Sequence, residues 1–284
     1  MIAWFGTGLL GAGFVRAMRR RGEAVAVWNR TPQKARALEA DGARVAADPA
    51  AAARDASRIH LTLSDDGAVD EVLERAREGF AAGVTIVDHT TTSASGAAQR
   101  VARWDARGIP FLHAPVFMGP QNALESSGVM LASGERERFE RLRPALEPMT
   151  GRVVYLGPHV ERAAAFKLMG NLFLTFLTAG ISDLFALAKA LDIPAQEAAS
   201  LFDFFNPGAA VPARAARMIE GDFDHPSWEL TMARKDARLM LDEAQRAGVS
   251  LDALPAIAAK MDEMIERGYG ASDWTVIAKD ALAV

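Results

Sequence analysis

The stretch I-A-W-F-G-T-G-L-L-G, residues 2–11, decides the fold of this chain. Its first four residues predict a buried strand, and the apolar periodicity from Leu10 onward predicts a helix. The glycines between them have the G-x-G-x-x-G spacing, which permits a tight turn, close approach of a phosphate to the backbone and close packing of helix on strand. The sequence therefore predicts a dinucleotide-binding loop at a helix N-terminus; the alternative is a glycine-rich turn without a ligand. The predicted cofactor residues of this loop are Gly6, Thr7, Gly8, Leu9, Leu10 and Gly11.

Short β-branched runs alternate with amphipathic segments up to residue 158, and helical patterns alone follow. This order is typical of an α/β fold, with a doubly wound parallel sheet of the Rossmann type and then an all-α region. We predict a cofactor-binding domain over residues 1–158 and an all-helical substrate and oligomerisation domain over residues 159–284. A long interdomain helix, predicted from Ala163 to Leu191, joins them.

Composition excludes several function classes. The chain has 284 residues, half of them hydrophobic, which is enough for two domains with sizeable cores. A net charge of −4 gives no footprint for nucleic acid or an anionic membrane. The absence of cysteine excludes disulfides and thiolate chemistry, and the five histidines lack metal-ligand spacing, so no metal is expected. No signal peptide is visible at Met1, and we expect a cytoplasmic protein.

Lys167 stands inside the long apolar helix and begins a polar stripe on one of its faces. At 3.6 residues per turn, Lys167, Asn171, Thr175, Thr178 and Ser182 line up. We expect burial on several sides, with the stripe facing a cleft beside the cofactor, because a buried ammonium needs partners or a function. The charged residues and the lack of flanking anchors argue against a membrane span. A lysine that snorkels from a helix margin is the alternative.

The second predicted strand ends in Trp28-Asn29-Arg30-Thr31, where an NAD-specific domain usually has an acidic residue for the ribose hydroxyls. Arg30 can pair with a 2′-phosphate, and Asn29 and Thr31 add neutral donors, so the segment favours NADPH over NADH. A solvated loop arginine is the alternative. Leu63, Ser64 and Thr91 follow later strands at the carboxyl edge of the sheet, where ligands bind, and are further predicted cofactor residues.

These motifs together resemble the β-hydroxyacid dehydrogenase family, which includes 3-hydroxyisobutyrate dehydrogenase and the glyoxylate and succinic semialdehyde reductases. Asp88-His89-Thr90-Thr91 looks like the family's Asp-x-Ser-Thr segment, Lys167 with Asn171 like its catalytic Lys-x-x-x-Asn, and Asp273 like its late aspartate. Lys235-Asp236 resembles a pair whose lysine reaches the cofactor; a solvated helix lysine is the alternative. The resemblance also implies a homodimer or homotetramer.

One segment departs from that family. After His113-Ala114-Pro115-Val116 the family has Ser-Gly-Gly, which holds a substrate carboxylate, whereas this chain has Phe117-Met118-Gly119. The predicted substrate residues are Phe117, Met118, Gly119 and Asn122, with Gln121 or Asn122 as replacement donors. The alternative is that Phe117 and Met118 only pack against the interdomain helix.

The sequence thus predicts an NADPH-dependent oxidoreductase that transfers hydride between the nicotinamide and a small carbonyl or 3-hydroxy compound. Lys167 is the predicted general acid and base, and Asn171 is predicted to orient it or to bind substrate. One alternative is an imine reductase on the same fold, favoured by the apolar segment at Phe117 but opposed by Lys167. A noncatalytic NADPH-binding sensor or scaffold is the other.

Overall fold

The computed structural model describes residues 1–282. Its first part is a six-stranded sheet of order β3-β2-β1-β4-β5-β6, in which every neighbouring pair is parallel. The elements are β1 (Ile2–Phe5), α1 (Leu9–Arg20), β2 (Val25–Trp28), α2 (Pro32–Arg36), β3 (Arg44–Val45), α3 (Pro49–Ala53), β4 (Arg58–Leu61), α4 (Asp66–Ala76), β5 (Thr85–Asp88), α5 (Ala94–Asp105) and β6 (Phe111–His113).

Both faces of this sheet are covered. Alternate residues of β1 point into two separate apolar clusters, with Trp4 in one and Phe5 in the other, and neither side chain is exposed. Helix α1 adds Phe14 and Met18 to the first cluster. A strand buried on both faces is expected in a parallel sheet with helices on each side. The predicted Rossmann-type α/β class is confirmed.

A second sheet contains β7 (Val116–Phe117), β8 (Val129–Ala132) and β9 (Arg152–Tyr155), in the order β7-β8-β9. The sequence predicted one doubly wound parallel sheet over residues 1–158, and the separation of these three strands into a second sheet corrects that prediction. Pro115 follows β6 and has no N–H for a ladder bond, so the chain turns there, and β7 runs antiparallel to β8. Two helices connect these strands: α6 (Pro120–Glu125) and α7 (Arg136–Leu146).

Helix α8 (Arg162–Ala190) is 29 residues long, but its predicted burial on several sides was wrong. Phe173, Phe176 and Leu177 are each more than half exposed, because nothing in the described part of this chain covers their faces. By length and composition alone α8 could cross a membrane, with a mean hydropathy of 1.5. Residue contacts divide the chain within α8 into one compact unit, Met1–Leu172, and a second from Phe173 onward. The functional boundary at residue 158 stays a prediction.

The second unit is helical, apart from one isolated bridge, over its described residues. It contains α9 (Ala195–Ala199), α10 (Leu201–Phe204), α11 (Val211–Glu220), α12 (Leu230–Arg246), α13 (Leu254–Met264) and α14 (Lys279–Leu282). Leu230, Ala237 and Met261 belong to its buried apolar cluster. The carboxylate of Asp183 accepts hydrogen bonds from the backbone N–H groups of residues 252, 253 and 254, at 2.7–3.0 Å. This carboxylate therefore attaches the start of α13 to the C-terminal half of α8.

Candidate active site

The glycines of the predicted loop have two kinds of role. Gly6 has φ +90°, and a Cβ there would overlap the carbonyl oxygen of Thr62. A Cβ on Gly11 would overlap the carbonyl oxygen of Gly6 and lie 2.9 Å from Nε1 of Trp4. A Cβ on Gly8 would meet nothing within 4 Å. Gly6 and Gly11 are thus needed for close packing, while Gly8 leaves the loop open to a ligand.

The open side of this loop has the chemistry of an anion site. Helix α1 begins at Leu9 with no acidic residue in its first turn and no side-chain cap, so its first N–H groups face outward with the positive end of the helix dipole. The side chain of Leu9 is 81% exposed, which leaves the helix start uncovered. The buried hydroxyl of Thr7 has no hydrogen-bond partner among the described residues. The loop therefore fits a dinucleotide pyrophosphate.

A cavity of about 290 Å³ continues from Gly6 and Gly8 to the end of β2. Arg30 and Lys34 line it, and neither has an ion pair within residues 1–282. Glu71 also lines it, but its carboxylate lies 3.3 Å from the guanidinium of Arg75, which covers the ring of Trp28 at 5.2 Å. The two unpaired cations make this end of the cavity suitable for a phosphate. The sequence did not indicate Lys34 or Arg75, because a lysine or arginine in a helix gives no signal by itself.

The other predicted cofactor residues differ in position. Asn29 connects the two sides of the site, accepting from the N–H of Thr7 at 3.0 Å and donating to the carbonyl of Thr31 at 2.9 Å. Its amide is therefore occupied within the protein. Leu63 and Ser64 line the same cavity as Gly6 and Thr31, whereas Thr91 is exposed after β5 and does not line it.

Lys167 lies on the part of α8 that belongs to the first unit. Its ammonium nitrogen is 4.5 Å from the ring centroid of Phe117. Partial burial lowers the pKa of Lys167 below its ordinary value, since desolvation disfavours the ammonium. No ion pair or hydrogen bond of Lys167 occurs among residues 1–282. Asn171 lies one turn further along the same helix. A lysine with these properties can give and take a proton.

The segment after Phe117 is internally bonded. Gly119 N–H donates to Oδ1 of Asn122 at 2.9 Å, and Nδ2 of Asn122 donates to the hydroxyl of Ser127 at 3.0 Å. The amide of Gln121 donates to the carboxylate of Glu125. The proposed replacement donors, Gln121 and Asn122, are thus already engaged. Met118 packs against the apolar cluster of the sheet that includes Ala123.

Buried polar groups connect the cofactor loop with the end of β6. Trp4 Nε1 donates to the hydroxyl of Thr62, which itself donates to the carbonyl of Gly6. The indole of Trp4 stacks on His60 at 5.0 Å. His60 Nδ1 and His89 Nε2 are 2.9 Å apart, and His89 Nδ1 is 2.7 Å from the carbonyl oxygen of Ala114. These histidines link Trp4, which contacts the glycine loop, to the backbone at the end of β6.

The candidate residues of the second unit lie on α12 and near the chain's end. Lys235 forms an ion pair with its neighbour Asp236 at 2.7 Å. Asp273 is fully buried and accepts from the N–H and hydroxyl groups of Ser227 and Thr275. Although burial opposes it, these hydrogen bonds lower the pKa of Asp273 well below its usual range. The geometry gives Asp273 a structural role within its unit.

Comparisons with known proteins identify the cofactor-binding domain and the fold. The sequence profile of the NAD binding domain of 6-phosphogluconate dehydrogenase matches residues 1–157. An oxidoreductase of Bacillus subtilis is 25% identical over 98% of both chains. The 3-sulfolactaldehyde reductase of Escherichia coli is 26% identical, covering 97% of this chain and 94% of the relative. An imine reductase from Myxococcus stipitatus, solved with NADP+, has the same fold, with a TM-score of 0.92, 20% identity and coverage of 98% and 99% of the two chains.

The profile matches more than half of the chain, beginning at the strand and glycine loop described above. The full-length relatives are oxidoreductases. The protein therefore belongs to the family with the NAD binding domain of 6-phosphogluconate dehydrogenase, as an NAD(P)-dependent oxidoreductase of the β-hydroxyacid dehydrogenase type.

Proposed function

We propose that the protein is an NADPH-dependent reductase of a small carbonyl compound, with Lys167 as the general acid; the oxidation of the corresponding alcohol uses the same group as base. The observation that carries the proposal is the state of Lys167. Its ammonium is partly buried, its pKa is lowered by that burial, and within residues 1–282 no carboxylate pairs with it. A lysine of lowered pKa, free of a counter-ion, suits proton transfer near neutral pH.

The proposed roles concern hydride transfer, proton transfer and cofactor binding. When bound, the reduced nicotinamide supplies a hydride to the carbonyl carbon. Lys167 donates a hydrogen bond and then a proton to the carbonyl oxygen, which takes up the electron pair of the C=O π bond, and the neutral amine recovers a proton from solvent. Asn171, one turn along α8, is proposed to orient the ammonium or the substrate oxygen. Gly8 and the first turn of α1 hold the pyrophosphate.

The preference for NADPH rests on Arg30 and Lys34, the two cations without ion pairs that line the cavity at the end of β2. We expect Arg30→Ala to lower kcat/KM for NADPH by about 10- to 100-fold, the value of a charge-assisted pair, and to leave NADH nearly unchanged. Steady-state kinetics with both cofactors measure the ratio. An equal loss with both cofactors would mean that Arg30 binds no 2′-phosphate.

An imine reductase is the second candidate, and the observation in its favour is the apolar ring of Phe117 beside Lys167. The likeness to the Myxococcus stipitatus enzyme concerns the fold. The presence of Lys167 weighs against an imine reductase. A noncatalytic NADPH-binding sensor does not require a lysine in this state, and tight binding of NADPH without turnover of any substrate would favour it.

The first experiment is NADPH consumption with small aldehyde acids, neutral aldehydes and cyclic imines, comparing wild type with Lys167→Met. Lys189→Met is the matched control, since Lys189 is an exposed lysine of the same helix. We expect carbonyl turnover to fall by at least about 100-fold in Lys167→Met, the lower range for loss of a general acid, and to persist in the control. Turnover that survives in Lys167→Met would refute the mechanism.

We further propose a homodimer or homotetramer in which another copy covers the apolar faces of α8. Met169, Leu172, Phe173 and Phe176 are each more than half exposed, which is unusual for a contiguous apolar surface of a monomer. Sedimentation equilibrium tests the assembly state. A small-molecule substrate, without nucleic acid or membrane partners, and a cytoplasmic location remain part of the proposal; cell fractionation tests the location.

A further inference from the structure

Phe117 contacts both Lys167 and Gly170 within the first unit. The ammonium of Lys167 lies 4.5 Å from the ring centroid of Phe117, well within the distance at which a ring face attracts a cation. Gly170 lies at the tip of the same ring: a Cβ there would overlap Cζ of Phe117 and lie 2.5 Å from its Cε1. The ring can occupy this place because residue 170 has no side chain.

We propose that Phe117 positions Lys167 for proton transfer and that, with Gly170, it restricts the substrate to an uncharged carbonyl compound. The inference rests on the function proposed above. A lysine side chain has a flexible four-carbon stem, so its ammonium can take many positions. Within residues 1–282 no ion pair or hydrogen bond fixes the ammonium of Lys167. The ring face favours one place for it. The same attraction keeps the group protonated against the burial that disfavours its charge.

The restriction to uncharged substrates follows because the donors considered in the segment from Phe117 to Asn122 are already engaged. Phe117 and Met118 offer no polar side chain, and the N–H of Gly119 already donates to Asn122. The amide of Asn122 donates to Ser127 in turn. A substrate carboxylate placed there would lose water without gaining these donors, which is costly. Lys167 is the charged donor beside this segment, and Lys167 is required at the carbonyl oxygen.

Gly170→Ala tests the positioning without changing Phe117 or Lys167, because its methyl group must displace the ring. Gly180→Ala is the matched control: it makes the same change in the same helix, where a Cβ meets nothing within 4 Å. We expect Gly170→Ala and Phe117→Leu to lower kcat by about 5- to 30-fold, the value of a partly desolvated cation–π pair. Gly180→Ala should retain activity.

A readout independent of turnover is the rate of lysine acetylation as a function of pH, measured for each peptide by mass spectrometry. Leucine at position 117 excludes water about as well as phenylalanine but has no ring quadrupole, so the ammonium loses stabilisation. The apparent pKa of Lys167 should fall by about 0.5 to 1 pH unit in Phe117→Leu, with Lys189 as internal reference. An unchanged titration of Lys167 would overturn the positioning role.

The substrate class is tested with pairs of aldehydes of equal length that end in a carboxylate or in its methyl ester. We expect wild-type kcat/KM to be at least about 10-fold higher for the ester, the cost of one poorly solvated polar group. Phe117→Ser, which adds a hydroxyl donor and opens space, should reduce or reverse that ratio. A wild-type preference for the carboxylate would overturn the restriction.

The assays separate a failure of the proposed function from a failure of the inference about Phe117. If Lys167→Met remains active, the proposed function fails. If Lys167→Met is inactive while Phe117→Leu and Gly170→Ala equal wild type in kcat and in lysine titration, only the inference about Phe117 fails.

Discussion

Lowering the pH from 7 to 5 should destabilise the first unit through His89. Arg58 Nε can only donate, and it lies 2.8 Å from Nε2 of His60. The proton of His60 is therefore on Nδ1, donated to Nε2 of His89, whose own proton on Nδ1 is donated to the carbonyl of Ala114. Both rings are neutral. Burial, opposed by the bond to Ala114, lowers the pKa of His89 to about 4.

The direction of the change in stability follows from the pKa of His89 in the folded and in the unfolded chain. Unfolded His89 titrates with a pKa near 6.5, so between pH 6.5 and 4 the unfolded chain binds more protons and stability falls as the pH falls. At pH 5 this difference removes about 2 kcal/mol of the free energy of unfolding relative to pH 7, and below pH 4 about 3.4 kcal/mol. His60, whose pKa burial also places well below its ordinary value, adds a loss of the same sign.

Urea unfolding at pH 7, 6 and 5, followed by tryptophan fluorescence, measures this loss, since Trp4 stacks on His60. His60→Phe/His89→Phe should flatten the pH dependence, because both hydrogen-bonding partners are replaced by rings of similar shape. His159→Asn is the control, since that histidine is exposed, lies 3.9 Å from the carboxylate of Glu161 and should leave the loss unchanged. A wild-type free energy that is constant to within about 0.5 kcal/mol, or an equal loss in the double variant, refutes the argument.

Three further predictions concern single side chains. Gly11→Ala should lower NADPH affinity by at least about 10-fold in a fluorescence titration, because its methyl group overlaps the glycine loop; unchanged binding would contradict the role of this glycine. Asp183→Ala should cost about 1–3 kcal/mol in thermal unfolding, since three backbone N–H groups lose their acceptor, whereas the exposed Glu197→Ala should cost almost nothing. Asp88→Asn should cost about 3 kcal/mol, because the buried guanidinium of Arg100 lies 3.8 Å from that carboxylate; a stable variant would show that the surface carboxylates bonded to Arg100 suffice.

The glycine loop was predictable because its determinants are local. The roles of Gly6 and Gly11 follow from a turn of fixed length between a strand and a helix, and the structure places both against backbone atoms as expected. Arg30 could be proposed for the same reason, since it directly follows a strand. Lys34 could not, because its place in the cavity depends on where α2 begins.

Other features depend on partners far away in the sequence. The separate sheet of β7, β8 and β9 follows from pairing choices that a pattern of apolar residues does not contain. The exposure of α8 was missed because apolar periodicity reports which faces avoid water and not whether this chain covers them. The sequence raised the packing of Phe117 on the long helix as an alternative, but not its placement over Lys167 and Gly170.

The overlap between a Cβ at position 170 and the ring of Phe117 makes these two positions epistatic. A phenylalanine can occupy this place at 117 only in a chain that already has, or gains at the same time, glycine at 170. Directed evolution that scans one position at a time would therefore reject combinations that function as pairs, and a library that varies both residues together is the one able to change the chemistry this enzyme accepts.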